Sequence, residues 1–166
     1  MKKWSILIFL MSIILIPGGC KSTIKNSSNS LNITKEDEKI IQQYLDTKTN
    51  DISSTKSGKM YSAFILLGTD NDKIYVWMLK EECIKDGSDV IMTNGVSSPV
   101  VLYVKTGETG IKIKSHKSPK DGEEYGKSIK KLFPQNAIDL ISNISNERMA
   151  QLKEVIKNRV KEDIEN

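Results

Sequence analysis

An α+β fold is what this chain predicts: a four-stranded antiparallel sheet of two hairpins, with an N-terminal helix and C-terminal helices packed on one face. Three observations carry that expectation. Apolar residues recur with a helical period between Thr34 and Asp46, with a period of two between Met60 and Lys114, and with a helical period again from Tyr125 to Ile164. Clusters of Gly, Asp, Asn and Thr fall between the apolar runs of the middle third, as hairpin turns require. The order helix, strands, helices lacks the alternation that builds a parallel sheet.

Thr34 followed by Asp37 reads as a helix start, and Ile40, Ile41, Tyr44 and Leu45 form the apolar stripe of a helix over 35–46. The Ser, Thr, Asn and Lys of 47–58 read as loop. Met60 to Leu67 and Lys73 to Lys80 pair as a first hairpin around Gly68-Thr69-Asp70-Asn71-Asp72. In the second strand Ile74, Val76 and Met78 share one face and Tyr75, Trp77 and Leu79 the other. Apolar residues on both faces make it a central strand. Val100 to Lys105 and Ile111 to Lys114 form a second hairpin, with Ile111 and Ile113 inward and Lys112 and Lys114 outward. The stretch from Lys85 to Pro99 reads as a polar loop between the hairpins. Tyr125, Ile129, Leu132 and Phe133 mark a helix that Pro134 stops, and a short helix is expected over 136–141. Ser145 then caps a longer helix whose core stripe is Met149, Leu152, Ile156, Val160 and Ile164.

The N-terminus has the parts of a secretory signal: Lys2 and Lys3, an apolar stretch from Trp4 to Ile16, and Pro17-Gly18-Gly19-Cys20. The apolar stretch falls short of the ~20 residues that cross a bilayer. The cysteine closing this run resembles the lipidation site of bacterial lipoproteins, which implies an acylated Cys20 as the mature N-terminus. Acyl chains contribute ~0.8 kcal/mol per buried CH₂, and two or more hold a protein on a membrane. The expected organisation is a signal peptide over 1–19, a lipidated tether over 20–33 and one domain over 34–166. Residues 21–32 are too polar to order themselves, and as a flexible coil they span roughly 20 Å.

The chain carries 25 Lys and Arg against 21 Asp and Glu, a net charge of +4, of which two units belong to Lys2 and Lys3. Only Arg148 and Arg159 are arginines, so the bidentate fork of nucleic-acid recognition is nearly absent. Lipidation of Cys20 leaves Cys83 alone, without an intrachain disulfide and reading as a buried small hydrophobe.

Several motif look-alikes fail on spacing. Gly122-Glu123-Glu124-Tyr125-Gly126-Lys127-Ser128 has three residues between its glycines where a phosphate-binding loop has four, and two of the three are acidic. No nucleotide is expected. Lys105-Thr106-Gly107 and three Ser-x-x-Lys matches, at Ser22, Ser53 and Ser128, follow from abundant serine and lysine, and the chain is too short for a penicillin-binding transferase. His116 is the only histidine, which excludes a multi-histidine metal site; no metal or cofactor is expected. Asp70, Asp72, Asp86 and Asp89 lack the calcium-loop pattern and read as turn formers.

A wider resemblance rests on Gly68-Thr69, Lys73-Ile74-Tyr75-Val76-Trp77-Met78, Ser98-Pro99-Val100-Val101-Leu102 and Pro119-Lys120-Asp121-Gly122. It continues through Tyr125 and Ser128-Ile129-Lys130-Lys131-Leu132-Phe133-Pro134. The pattern is similar to small uncharacterised lipoproteins of Gram-positive bacteria, and to an extracytoplasmic module beside regulatory metallopeptidases of the β-lactam-sensor type. The resemblance covers about half the chain and implies an extracytoplasmic α+β module that senses or binds at the cell envelope. It assigns no catalytic residue.

The expected function is thus a membrane-anchored, extracytoplasmic, non-catalytic binding or accessory module, lipid-anchored to the cell membrane, whose partner is an envelope ligand or protein. Its expected ligand face lies between the 85–99 segment and Tyr75, Trp77 and Tyr103. Two alternatives accompany it: a small envelope hydrolase using His116 with a serine and Asp121, and a regulator of a membrane partner protein.

Overall fold

The computed structural model describes residues 30–86, 89–108 and 110–165. The expected signal peptide, Cys20 and most of the expected tether lie outside these residues. Helix α1 spans Lys35–Lys48 and begins at a complete capping box: the Thr34 hydroxyl accepts from the Asp37 amide at 3.1 Å, and the Asp37 carboxylate accepts from the Thr34 amide at 3.0 Å. Strands β1 (Lys59–Asp70), β2 (Lys73–Asp86), β3 (Asp89–Gly107) and β4 (Gly110–Lys117) follow and pair antiparallel in the order β1-β2-β3-β4. After a 3-10 turn at Gly122–Glu124 come α2 (Tyr125–Leu132), α3 (Gln135–Ser142) and α4 (Asn146–Glu165). The α+β architecture and its four-stranded antiparallel sheet are those expected.

β2 is central and buries both of its faces, so the helices divide between them. Ile41 and Leu45 of α1 pack on Ile74, Val76 and Met78 of β2 and on Val100, Leu102, Val104 and Ile111 of β3 and β4. Complete burial of a side chain such as Ile41 or Leu45 contributes about 1.5–3 kcal/mol. On the opposite face Leu152, Ile156 and Val160 of α4 meet Tyr61, Ala63, Leu79 and Cys83. Ile129, Phe133 and Ala137 of α2, α3 and their connection meet Leu67, Tyr75 and Val101. The C-terminal helices share one face while α1 takes the other, so the helices do not all back one face as expected; β2 is apolar on both sides and needs cover on each. The two apolar stripes are shorter than their spacing implies: Tyr125 and Ile164, at their outer ends, are exposed.

Within the stretch expected as a loop, residues 85–86 and 89–99 are strand. β2 and β3 continue pairing through Lys80↔Val96, Glu82↔Asn94 and Lys85↔Val90 to Asp86↔Asp89, with a bulge opposite Glu82 and Cys83. Pro99 is tolerated because β4 reaches β3 only from Val101 onward, so no neighbour needs the missing N–H. Two charged residues on this extension are held by the α1 side. Lys80 is fully buried and donates to the Thr49 hydroxyl at 2.9 Å. The Glu82 Oε1 accepts from the Thr55 hydroxyl and from the amides of Lys56, Ser57 and Gly58, all at 2.6–2.8 Å. Gly58 is required there, since a Cβ would stand 2.4 Å from the Cys83 carbonyl oxygen. At the other end, Leu31 and Ile33, which the expected boundary leaves in the tether, pack against the α1 core.

α1 also lies across the sheet from one edge to the other. At the β4 edge Asp37 accepts from the Ile111 amide at 3.0 Å; at the β1 edge Asp46 accepts from the Ser62 amide at 2.7 Å. A rise of ~1.5 Å per residue over that interval gives about 13.5 Å, and three strand spacings of ~4.8 Å give about 14 Å. One helix thereby caps exposed backbone on both edges of the sheet.

Candidate functional site

A concavity follows the β1 edge. Its volume is about 670 Å³, against about 350 and 280 Å³ for the hollows at the α4 C-terminal end and beside Tyr44. Ala63 and Phe64 of β1 form its floor. Lys35, Glu38, Lys39, Gln42 and Gln43 of α1 form one wall, and Leu152 and Val155 of α4 form the other. The walls differ chemically because α1 and α4 cover opposite faces of the sheet and each turns a different flank outward past β1. Neither Lys35 nor Lys39 has an ion-pair partner among the described residues. Val155 is 44% exposed although apolar.

One end of the groove is closed by Arg159 of α4. Its guanidinium donates to Asp46 Oδ2 at 2.6 Å and to the Ser62 carbonyl at 2.8 Å. Asp46 Oδ1 also accepts from the Ser62 amide and hydroxyl, both at 2.7 Å, and Gln42 donates to the Ser62 carbonyl. Arg159 lies over the Tyr61 ring at 5.6 Å from its centroid, which further fixes the guanidinium plane.

Residues singled out from sequence lie elsewhere. Tyr75 is buried against Phe133, ring centroids 5.7 Å apart, and Trp77 and Tyr103 pack around the same cluster beneath α2 and α3. The three share a sheet face, but residues 85–86 and 89–99 belong to the β2–β3 ladder rather than to a loop beside them. The Trp77 Nε1 is buried with no hydrogen-bond partner among the described residues. Cys83 is buried in the α4 cluster, and burial, aided by Glu81 and Glu82, pushes its thiol up. A thiol so placed is a packing group. Ser128 bonds the Lys120 amide and the Tyr125 carbonyl as a helix-start residue, in place of the near-miss phosphate loop.

His116 joins two residues far from it in sequence. Its Nδ1 lies 3.0 Å from the Tyr44 hydroxyl and its Nε2 2.9 Å from Asp51 Oδ1. Burial, and then the charge of Asp51, pushes the Tyr44 hydroxyl up, so Tyr44 keeps its proton, and the two ring nitrogens face a hydroxyl on one side and a carboxylate on the other. Both ring nitrogens are thus occupied, and neither a serine nor Asp121 is among the partners; the combination expected for a hydrolase is not assembled. Among the described residues no group of His, Cys, Asp and Glu could hold a metal ion, and no helix is long and apolar enough to cross a membrane.

Comparison with protein families, with curated proteins and with solved structures found no match. What the arrangement can do chemically therefore rests on the groove itself: two lysines without an ion-pair partner among the described residues on one wall, aliphatic surface on the other, and a strand edge between them.

Proposed function

We propose that this chain is a lipid-anchored, extracytoplasmic binding module, held at the cell membrane through Cys20, whose ligand surface is the groove between α1 and α4. The groove is the observation that carries the binding reading, because concave sites combining aliphatic surface with a few charged groups are where ligands gain both area and orientation. The anchor rests on the Lys2-Lys3, apolar run and Gly18-Gly19-Cys20 pattern.

Hydrogen exchange on the full chain, with and without a detergent extract of cell envelopes, tests the binding surface. Slowed exchange at Phe64 and along the 152–159 turns of α4, with Trp77 emission unchanged, is the expected result. Protection confined to α2, α3 and β3, together with a Trp77 spectral shift, would return the ligand to the Tyr75, Trp77 and Tyr103 face. Mass spectrometry of the mature protein tests the anchor: residue 20 should come first and bear acyl chains, and an unmodified Cys20 would end that part of the reading.

A further inference from the structure

We propose that β1 accepts a fifth strand in this groove, supplied by an extended peptide of alternating acidic and apolar residues on an envelope partner. The proposal rests on the reading of the groove as the ligand surface and names the ligand's class.

The backbone supplies the first argument. Ser62 turns its N–H and C=O away from β2, toward Asp46, Gln42 and Arg159. In an antiparallel ladder this orientation recurs every second residue, and the β1–β2 register is unbroken from Ser62↔Lys80 to Leu66↔Val76. Phe64 and Leu66 therefore also direct N–H and C=O outward, and neither has a hydrogen-bond partner there among the described residues. Leu66 is 42% exposed. The open stretch is short and has defined ends: the Asp46–Arg159 pair closes it at Ser62, and a bulge between Leu66 and Gly68 closes it beyond Leu66.

The other edges are guarded in ways this stretch is not. β4 has its Ile111 amide capped by Asp37 and carries outward Lys112 and Lys114. The free part of β3 is interrupted by Pro99 and by the bulge opposite Glu82 and Cys83. At Phe64 and Leu66 no proline or charged side chain stands on the strand, and two helices flank it as walls.

Those walls choose the sequence of the guest. Side chains of an added strand point alternately to the two faces of the sheet, so one set meets α1 and the other meets α4. The α1 set faces Lys35 and Lys39, which lack ion-pair partners, with Glu38 between them; acidic side chains complement that excess of positive charge. The α4 set faces Leu152 and Val155 and is apolar. Main-chain hydrogen bonds then supply affinity and the alternate pockets supply specificity.

The probe is acetyl-(Val-Glu)₄-amide, titrated into the full chain in detergent and followed by amide exchange and chemical shifts. Controls are the same peptide N-methylated at alternate residues and acetyl-(Val-Lys)₄-amide. The expected result is several-fold slower exchange at Phe64 and Leu66 with the first peptide alone. Leu66→Pro, which removes an outward N–H and no ladder bond, should abolish the effect. Lys39→Glu, a surface change that leaves the strand intact, should weaken it and favour the lysine peptide. Equal protection by the N-methylated peptide, or no protection by either, would overturn strand addition. Shifts at Leu152 and Val155 without protection of Phe64 and Leu66 would overturn it too, while leaving the groove as a binding surface. Protection that grows with protein concentration in the absence of peptide would assign the edge to a second copy, and overturn the proposal.

Discussion

Arg159 and Asp46 meet across the edge of β1, Nη2 to Oδ2 at 2.6 Å, and so join the two helices that cover opposite faces of the sheet. The pair is mostly shielded, with side chains 29% and 14% exposed, and it shares Ser62 as a common partner. Arg159→Ala should destabilise the fold by about 2 kcal/mol, since it leaves a shielded carboxylate and a strand carbonyl short of donors. Arg159→Lys should recover little, because a single ammonium cannot reproduce the planar fork on Asp46 and Ser62. Urea denaturation of the three proteins measures both values.

Acid should unfold the protein through a small set of carboxylates. Glu82 is held far below the usual range, first by the Thr55 hydroxyl and then by the amides of Gly58 and Ser57, with burial opposing. Burial pushes Asp37 up, but the Thr34 and Ile111 amides and the Thr34 hydroxyl outweigh it; Asp163 is lowered chiefly by Lys59 and Tyr61. Below about pH 4.5 the unfolded chain takes up protons that the folded one refuses, so stability falls as the pH falls. Thermal melts between neutral pH and pH 3 should show that slope, and Glu82→Gln should flatten it while lowering the neutral melting temperature more than Glu147→Gln does.

Lys80 gives the opposite slope at the alkaline end. Burial, the largest influence, pulls its amine down, and Asp46 and Asp51 oppose that only in part. Between its folded value and the ordinary ~10.4 the unfolded chain holds the proton that the folded chain has lost, so this residue's contribution to stability rises with pH. The difference in melting temperature between the native chain and Lys80→Met should therefore shift in favour of the native chain from pH 7 to pH 10. A constant difference would contradict the sign.

The α4 stripe can be read by truncation. Ile156 is fully buried between Tyr61 and Leu79 neighbours, and Ile156→Ala should cost about 3 kcal/mol. Val155, one residue away on the groove wall, is 44% exposed, and Val155→Ala should change stability by less than ~0.5 kcal/mol. The same substitution should nonetheless weaken binding of the valine and glutamate peptide.

The architecture was legible where periodicity was clean. Thr34 with Asp37, and the double-sided apolar pattern of Ile74 to Leu79, marked a capped helix and a central strand, and both are present. The extension of β2 was hidden because Lys80-Glu81-Glu82 reads as the polar end of a strand. Only the folded chain shows that Thr49 and the 55–58 turn satisfy two of those charges. The groove left no local signal at all: its walls come from α1 and α4, the first and last helices of the described chain, and the outward N–H groups of Phe64 and Leu66 are a property of register. His116 was visible as a singleton, yet its partners Tyr44 and Asp51 are 72 and 65 residues away.

The two aspartates of α1 also impose an order on folding. Asp37 and Asp46 are made early in the chain, but the amides they cap, Ile111 and Ser62, belong to the last and first strands of a sheet that must pair before both edges exist. Loop closure over 74 residues makes the Asp37 contact slow to form. Until α1 settles, the nascent sheet has two unprotected flanks, and neighbouring chains can add to either. Deleting residues 35–48 should therefore leave a chain whose fate is self-association rather than simple unfolding, rising steeply with its concentration.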